Sequence, residues 1–200
     1  MTLNPPEKPS SSACERNRDP ILEVLRLHFA DRKKVLEIGS GTGQHAVHFA
    51  ATLSHLIWQT SDLPAQHAGI RAWLDEAALP NTPPPLDLDM KGAWPAGPFD
   101  AVFSANTLHI MGWPEVEMLF ARLPQIMATS FKLAIYGPFN YGGQFTSPSN
   151  AKFEQTLKSW GPQMGIRDFE SVDALAQNAG LALLEDRAMP ANNRCLVWGL

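Results

Sequence analysis

Three glycines at alternate positions end an apolar run in Val35-Leu36-Glu37-Ile38-Gly39-Ser40-Gly41-Thr42-Gly43. Glycine there lets the chain turn sharply and lets backbone approach a ligand closely. Ala46, Val47, Phe49 and Ala50 predict a helix directly afterwards, and the N-terminus of a helix favours a carboxylate or a phosphate. A dinucleotide fingerprint needs glycine in the sixth place from Gly39, where Gln44 stands, and no Lys-Ser or Lys-Thr follows to make a P-loop. A glycine-rich turn without a ligand is the plain alternative.

Other candidates follow in chain order. Asp62 falls at the end of a second apolar segment, and Asp87 and Asp89 at the end of a short third. His109 follows a fourth, and its pKa range suits removal of a proton from a hydroxyl or an amine. It reads equally as a hydrogen-bonded histidine that fixes a loop. Asn106, nearby, suits ligand contact or loop support. Arg16 offers a fork for a carboxylate, with Asn17 next to it. Tyr136, Asn140 and Tyr141 cluster after a fifth segment, Asn192 and Asn193 lie in a late turn, and Gly142-Gly143 suggests a flexible lid. Each of these polar residues also suits a turn or a surface. His45 and His48 sit one helical turn apart without a third ligand, so no metal is expected.

These residues need strands and helices to position them. Residues 1–12 are rich in Pro and Ser and predict a flexible tail, with one domain over 13–200. Asp19 suits an N-cap and Pro20 a first helical position, with Ile21, Leu22, Leu25 and Phe29 on one face. Strands are expected at 35–38, 57–60, 86–88, 99–105 and 132–136, with helices between them and further helices around Phe153 and Leu175. The last apolar runs, 181–187 and 195–200, are separated by too few residues for a helical crossover and should pair antiparallel. This is an α/β, doubly wound sheet of seven strands with helices on both faces. Its ligand belongs beyond the carboxyl ends of the strands, where strand order reverses. Asp100 begins its strand at the opposite end and reads as structural.

The composition is 44% hydrophobic and 18% charged, with net charge −4, which argues against a protein devoted to nucleic acid. No run reaches the roughly 18 apolar residues of a membrane span, and the N-terminus lacks the apolar core of a secretory signal. Cys14 and Cys195 form no C-x-x-C pair and suit a reducing, cytoplasmic setting. Trp73, Trp94, Trp113, Trp160 and Trp198 read as core or rim packing.

The pattern E-x-G-x-G-x-G resembles the first motif of class I methyltransferases. That resemblance implies an S-adenosylmethionine site built from Glu37, Gly39, Ser40, Gly41, Gly43 and Asn106. Asp62 is then expected on the ribose diol, with Asp89, or its rival Asp87, on the adenine amino group. The segments Ser11-Ser12-Ala13-Cys14-Glu15-Arg16-Asn17, Gly39–His45, Ser61-Asp62, Ala105–Ile110, Tyr136–Asn140, Phe145–Asn150 and Met189–Asn193 together resemble the uncharacterised methyltransferase-like family called domain of unknown function 938. The likeness spans nearly the whole chain after the tail and implies a Rossmann-like class I methyltransferase fold, with no substrate named. Methyl transfer needs alignment more than a base, so His109 is the candidate base, with Arg16, Asn17, Tyr136, Asn140, Tyr141 and Asn192 on the acceptor. An Asn/Asp-Pro-Pro-aromatic motif, which marks many methylases of exocyclic amines, is replaced by Ser104-Ala105-Asn106-Thr107-Leu108-His109. A small-molecule methyl acceptor is the default. A non-catalytic sensor that binds the cofactor is the alternative, and a nicotinamide oxidoreductase is disfavoured by Gln44.

Overall fold

The computed structural model describes residues 8–200. The chain runs α1 (Ser12–His28), β1 (Lys34–Ile38), α2 (Gln44–Thr52), β2 (Ile57–Asp62), α3 (His67–Ala77), β3 (Leu86–Asp87), β4 (Phe99–Ala105), α4 (Trp113–Arg122), β5 (Met127–Gly137), β6 (Phe139–Asn140), α5 (Pro148–Trp160), β7 (Arg167–Asp168), α6 (Phe169–Asn178), β8 (Ala182–Met189) and β9 (Asn193–Gly199). The seven-stranded sheet has the order β3-β2-β1-β4-β5-β9-β8, and β6 pairs with β7 in a small second sheet. The first five strands are parallel. β9 is antiparallel to both β5 and β8, so β8 runs with the first five and the last strand alone is reversed. Strand order turns back between β1 and β4, and the carboxyl ends there open a crevice.

The sheet is apolar on both faces because helices cover both. Val35 joins a cluster with Ile21, Leu25, Phe49 and Ile70 under α1, α2 and α3. Its neighbour Leu36 points into the opposite cluster with Leu119, Phe120, Val172 and Trp198 under α4 and α6. This is the two-residue period of a strand buried on both sides. At the far end of the sheet Asp100 accepts the amides of Lys33 and Lys34, each at 2.7 Å, and is structural as expected.

The start of α1 differs from the sequence expectation. The cap is Ser11, whose hydroxyl accepts from the Cys14 amide, so Asp19 and Pro20 lie inside the helix. Pro20 has no N–H for the Arg16 carbonyl four residues back, a loss that packing of Ile21, Val24 and Leu25 offsets. Residues 8–11 are docked rather than loose. Lys8 pairs with Glu76 at 2.6 Å and lies 3.6 Å over the Trp73 ring. Trp73 Nε1 donates to the Pro9 carbonyl at 2.7 Å, and the Ser11 amide donates to Gln44 Oε1 at 2.5 Å. The remainder of the expected tail, residues 1–7, lies outside the described residues. No helix among the described residues is long and apolar enough to cross a membrane.

Candidate functional site

A cavity of about 1060 Å³ opens at the carboxyl ends of the parallel strands. Its floor is the loop between β1 and α2. The amides of Gly39 and Ser40 both donate to the Ser61 carbonyl, at 3.0 and 3.1 Å, which laces this loop to β2. Gly39 and Gly41 have φ of +73° and +56°, a region that costs other residues strain. A Cβ on Gly39 would fall 2.5 Å from Thr107 Oγ1, whereas one on Gly41 would meet nothing within 4 Å. Gly39 is therefore a packing glycine, and Gly41 presents bare backbone to the cavity.

Glu37 and Gly43 are not on the cavity wall, contrary to the sequence expectation. Glu37 sits behind the loop, where one carboxylate oxygen accepts from Ser40 Oγ at 3.1 Å and from Trp58 Nε1 at 3.0 Å. Burial pushes its pKa up to about 7 against the opposing pull of those donors. Gly43 caps α2, and a Cβ there would press to 3.0 Å on the Ile70 backbone. These two residues shape the loop; Gly39, Ser40 and Gly41 line the cavity.

Asp62 stands at the end of β2 on the wall. Its Oδ2 accepts the Gly41 amide at 2.7 Å and its Oδ1 accepts the Leu63 amide at 2.7 Å, so each oxygen keeps a lone pair for a ligand hydroxyl. Asp89 also lines the cavity, anchored by the Lys91 amide at 2.9 Å. Its rival Asp87 faces outward beside His67. Leu63, Leu88 and Met90 add apolar wall between the two acids, and Leu63 is 49% exposed. Asn106 lies on the wall with φ of +56°, its amide donated to the Tyr136 carbonyl at 2.8 Å.

His109 occupies the far side of the cavity, edge-on to Phe153 with centroids 5.4 Å apart. Burial, and then the nearby Arg167 guanidinium, lower its pKa to about 4. Arg167 donates to the carbonyls of Leu108, Met111 and Gln163, and the Gly165 amide donates to the His109 carbonyl at 2.9 Å. The imidazole is thus neutral at physiological pH and carried on a stapled loop. Tyr136 and Asn17 also line the cavity, as does the exposed Arg16. Asn17 Oδ1 is 2.7 Å from His45 Nε2, which commits that histidine. No group of residues suited to a metal is present among the described residues.

Asn140, Tyr141 and Asn192 do not line the cavity, so the structure does not bring them to the site. Tyr141 turns away, donating to Asp186 at 2.8 Å and stacking on Phe169 at 5.2 Å. Asn140 is buried with Oδ1 unpartnered. Asn192 ties down α5, through Nδ2 to Ser149 at 3.1 Å and a carbonyl that accepts from Asn150, and leaves the wall to Ala191 and Asn193. Sequence reasoning missed Trp58, Thr107 and Arg167. All three act through contacts distant in sequence: Trp58 on Glu37, Thr107 on Gly39 and Arg167 on the Leu108 carbonyl.

The family described as Protein of unknown function (DUF938) matches residues 8–199. The chain belongs to the DUF938 family. Solved structures share this DUF938 fold at low sequence identity. An O-methyltransferase family protein from Burkholderia thailandensis superposes with a TM-score of 0.80 at 17% identity, covering 90% of this chain and 55% of its own. The S-adenosylmethionine-dependent methyltransferase SibL in its apo form gives 0.76 at 18%, covering 93% and 55%. An O-methyltransferase family 2 protein from Planctomyces limnophilus DSM 3776, in complex with apigenin, gives 0.77 at 15%, covering 91% and 56%. The DUF938 chain therefore has the Rossmann-like class I methyltransferase fold and spans about half the length of these proteins.

Proposed function

We propose that this DUF938 protein is an S-adenosylmethionine-dependent methyltransferase acting on a small-molecule acceptor. The observation that carries the reading is the open backbone of Gly41, bonded through its amide to Asp62 at 2.7 Å where β1 and β2 end. The residues present fit the cofactor. Asp62 suits the ribose diol, and Leu63, Leu88, Asp89 and Met90 suit the adenine. The N-terminus of α2, which Gly43 caps without a side chain, suits the amino-acid carboxylate. Ser40 and Asn106 complete that half of the wall.

The bound cofactor would supply an activated methyl group on a positively charged sulfur. The chain's own work is to align an acceptor and exclude water. His109 accepts the hydrogen bond of an acceptor hydroxyl and takes its proton as the new O–C bond forms. Burial disfavours imidazolium there, and the bound cofactor would offset that cost, since its sulfur would keep the electron pair of the broken S–C bond and give up its positive charge. Tyr136 and Asn17 contact the acceptor from the same cavity wall. The apigenin complex of one fold relative supports an acceptor of small-molecule size.

Calorimetric titration with S-adenosylmethionine, S-adenosylhomocysteine and NAD tests the reading. Binding of the first two, lost in Asp62→Ala, is expected; a folded protein that binds neither overturns it. A second reading, a sensor that binds the cofactor without turnover, is favoured by the weak basicity of His109. A methyl-transfer assay over metabolite extracts separates the two, since turnover abolished by Asp62→Ala excludes the sensor.

A further inference from the structure

The acceptor half of the cavity has one formal charge to offer. Of the charged side chains on the wall, Asp62 and Asp89 hold backbone amides on the cofactor side. Lys91 and Glu115 neutralise each other at 3.0 Å. Arg16 has no ion-pair or hydrogen-bond partner among the described residues and is exposed where it lines the cavity. Its charge reaches the Tyr136 hydroxyl, which Asn17 and Asn193 flank. Phe153 and Ile110 line the same cavity, the latter 44% exposed.

We propose that the methyl acceptor carries a carboxylate held by Arg16, on a flat apolar body that lies against Phe153 and Ile110. The inference rests on the methyltransferase reading and deepens it. A guanidinium fork binds a carboxylate through paired N–H donors, a geometry that also fixes the rest of the molecule. A cationic acceptor would meet Arg16 with no free carboxylate to compensate. The cofactor's own carboxylate has the N-terminus of α2, behind Gly41, and does not need Arg16. Flat rings are held by aromatic and aliphatic walls without demanding further polar partners.

The test uses the full chain saturated with S-adenosylhomocysteine and two probes of nearly equal shape, 4-hydroxybenzoate and 4-hydroxybenzamide. Calorimetry is expected to give the anion at least about tenfold tighter binding than the amide, falling away with added salt. Arg16→Gln, a substitution at an exposed position, is expected to erase that preference and leave S-adenosylhomocysteine affinity within about twofold. Equal binding of the two probes, or no binding of either, overturns the proposal. So does a loss of S-adenosylhomocysteine affinity in Arg16→Gln with the probe preference intact, which would give Arg16 to the cofactor. Failure of the wild-type chain to bind S-adenosylhomocysteine at all is a separate result, and it removes the methyltransferase reading itself.

Discussion

Trp58 donates its indole N–H to a buried carboxylate oxygen of Glu37 at 3.0 Å, joining β2 to the strand that ends in the glycine loop. Ser40 donates to the same oxygen, so one acidic side chain holds the loop from behind. Its folded pKa of about 7 stands above the ordinary value of 4.5. A raised carboxyl pKa means that the folded protein binds the proton more tightly. The stabilisation is full below about 4.5 and is lost as pH rises to about 7. Glu37→Gln retains an oxygen for both donors and removes the titration. Chemical denaturation across pH 4.5–7 should therefore show the stability difference between wild type and variant changing by on the order of 1 kcal/mol per pH unit. A constant difference would place the Glu37 carboxyl in a better-solvated state than its burial indicates.

The glycines of the loop separate into two behaviours. Gly41→Val should fold at a cost of about 1–3 kcal/mol for its positive φ and abolish cofactor binding, because its side chain enters the cavity. Gly39→Ala should cost more, since Thr107 occupies the space. Thr107→Ala removes the two closest Thr107 atoms and should recover part of that loss. A double-mutant cycle read by thermal melting measures the coupling, and strict additivity would refute the contact.

Asp62 and Asp89 should also part company with Asp87. Asp62→Ala removes a charged acceptor for the diol, worth about 1.5–3 kcal/mol per hydrogen bond, so S-adenosylhomocysteine affinity should fall at least about tenfold. Asp89→Ala should weaken binding too, and Asp87→Ala should not, because that side chain is 75% exposed beside His67. Calorimetry on the three variants checks the order.

The placement of these acids was legible in the sequence because each lies at or just after the carboxyl end of a strand of the parallel sheet, Asp62 ending β2, Asp87 ending β3 and Asp89 two residues further on. The glycine loop and the antiparallel final pair were legible for similar reasons, being local patterns of spacing and connection length. The residues after β5 were not. Tyr141 is drawn to Asp186 on β8, a partner 45 positions away, and no local spacing encodes that pull. The α1 start was misread because Asp19-Pro20 is a good helix-opening pair in isolation, while the cap in use is Ser11. Arg167 was invisible for the same cause as Tyr141, since the carbonyl of Leu108 that it holds lies 59 residues away.

The docked segment ahead of α1 predicts a kinetic effect. Pro9 and Ser11 are tethered by Trp73 and Gln44, and Ser11, Cys14 and Arg16 form one side of the cavity. Trp73→Ala removes the N–H donated to Pro9 and the ring beneath Lys8. Stopped-flow displacement should show S-adenosylhomocysteine leaving several-fold faster, with the melting temperature little altered. An unchanged release rate would mean that the segment does not gate exit.

His109 carries the last prediction. Its pKa falls from 6.5 to about 4, so its neutral form supplies stability that is present above about 6.5 and lost as pH falls toward 4. That sign opposes Glu37 over the shared part of the window, so Glu37→Gln should expose a decline in stability on acidification that the wild type masks. His45, also lowered to about 4 by burial, adds to the same decline, and His109→Gln should remove only part of it. In catalysis His109→Gln should lower kcat by about 10²–10⁴ while S-adenosylhomocysteine affinity holds. Wild-type turnover should show no limb near pH 6.5, since the imidazole is already neutral there. Full activity in the glutamine variant would remove His109 from the proton path and leave it as a wall residue packed on Phe153, whereas a limb near pH 6.5 that the variant lacks would mean an imidazole better solvated than its burial indicates.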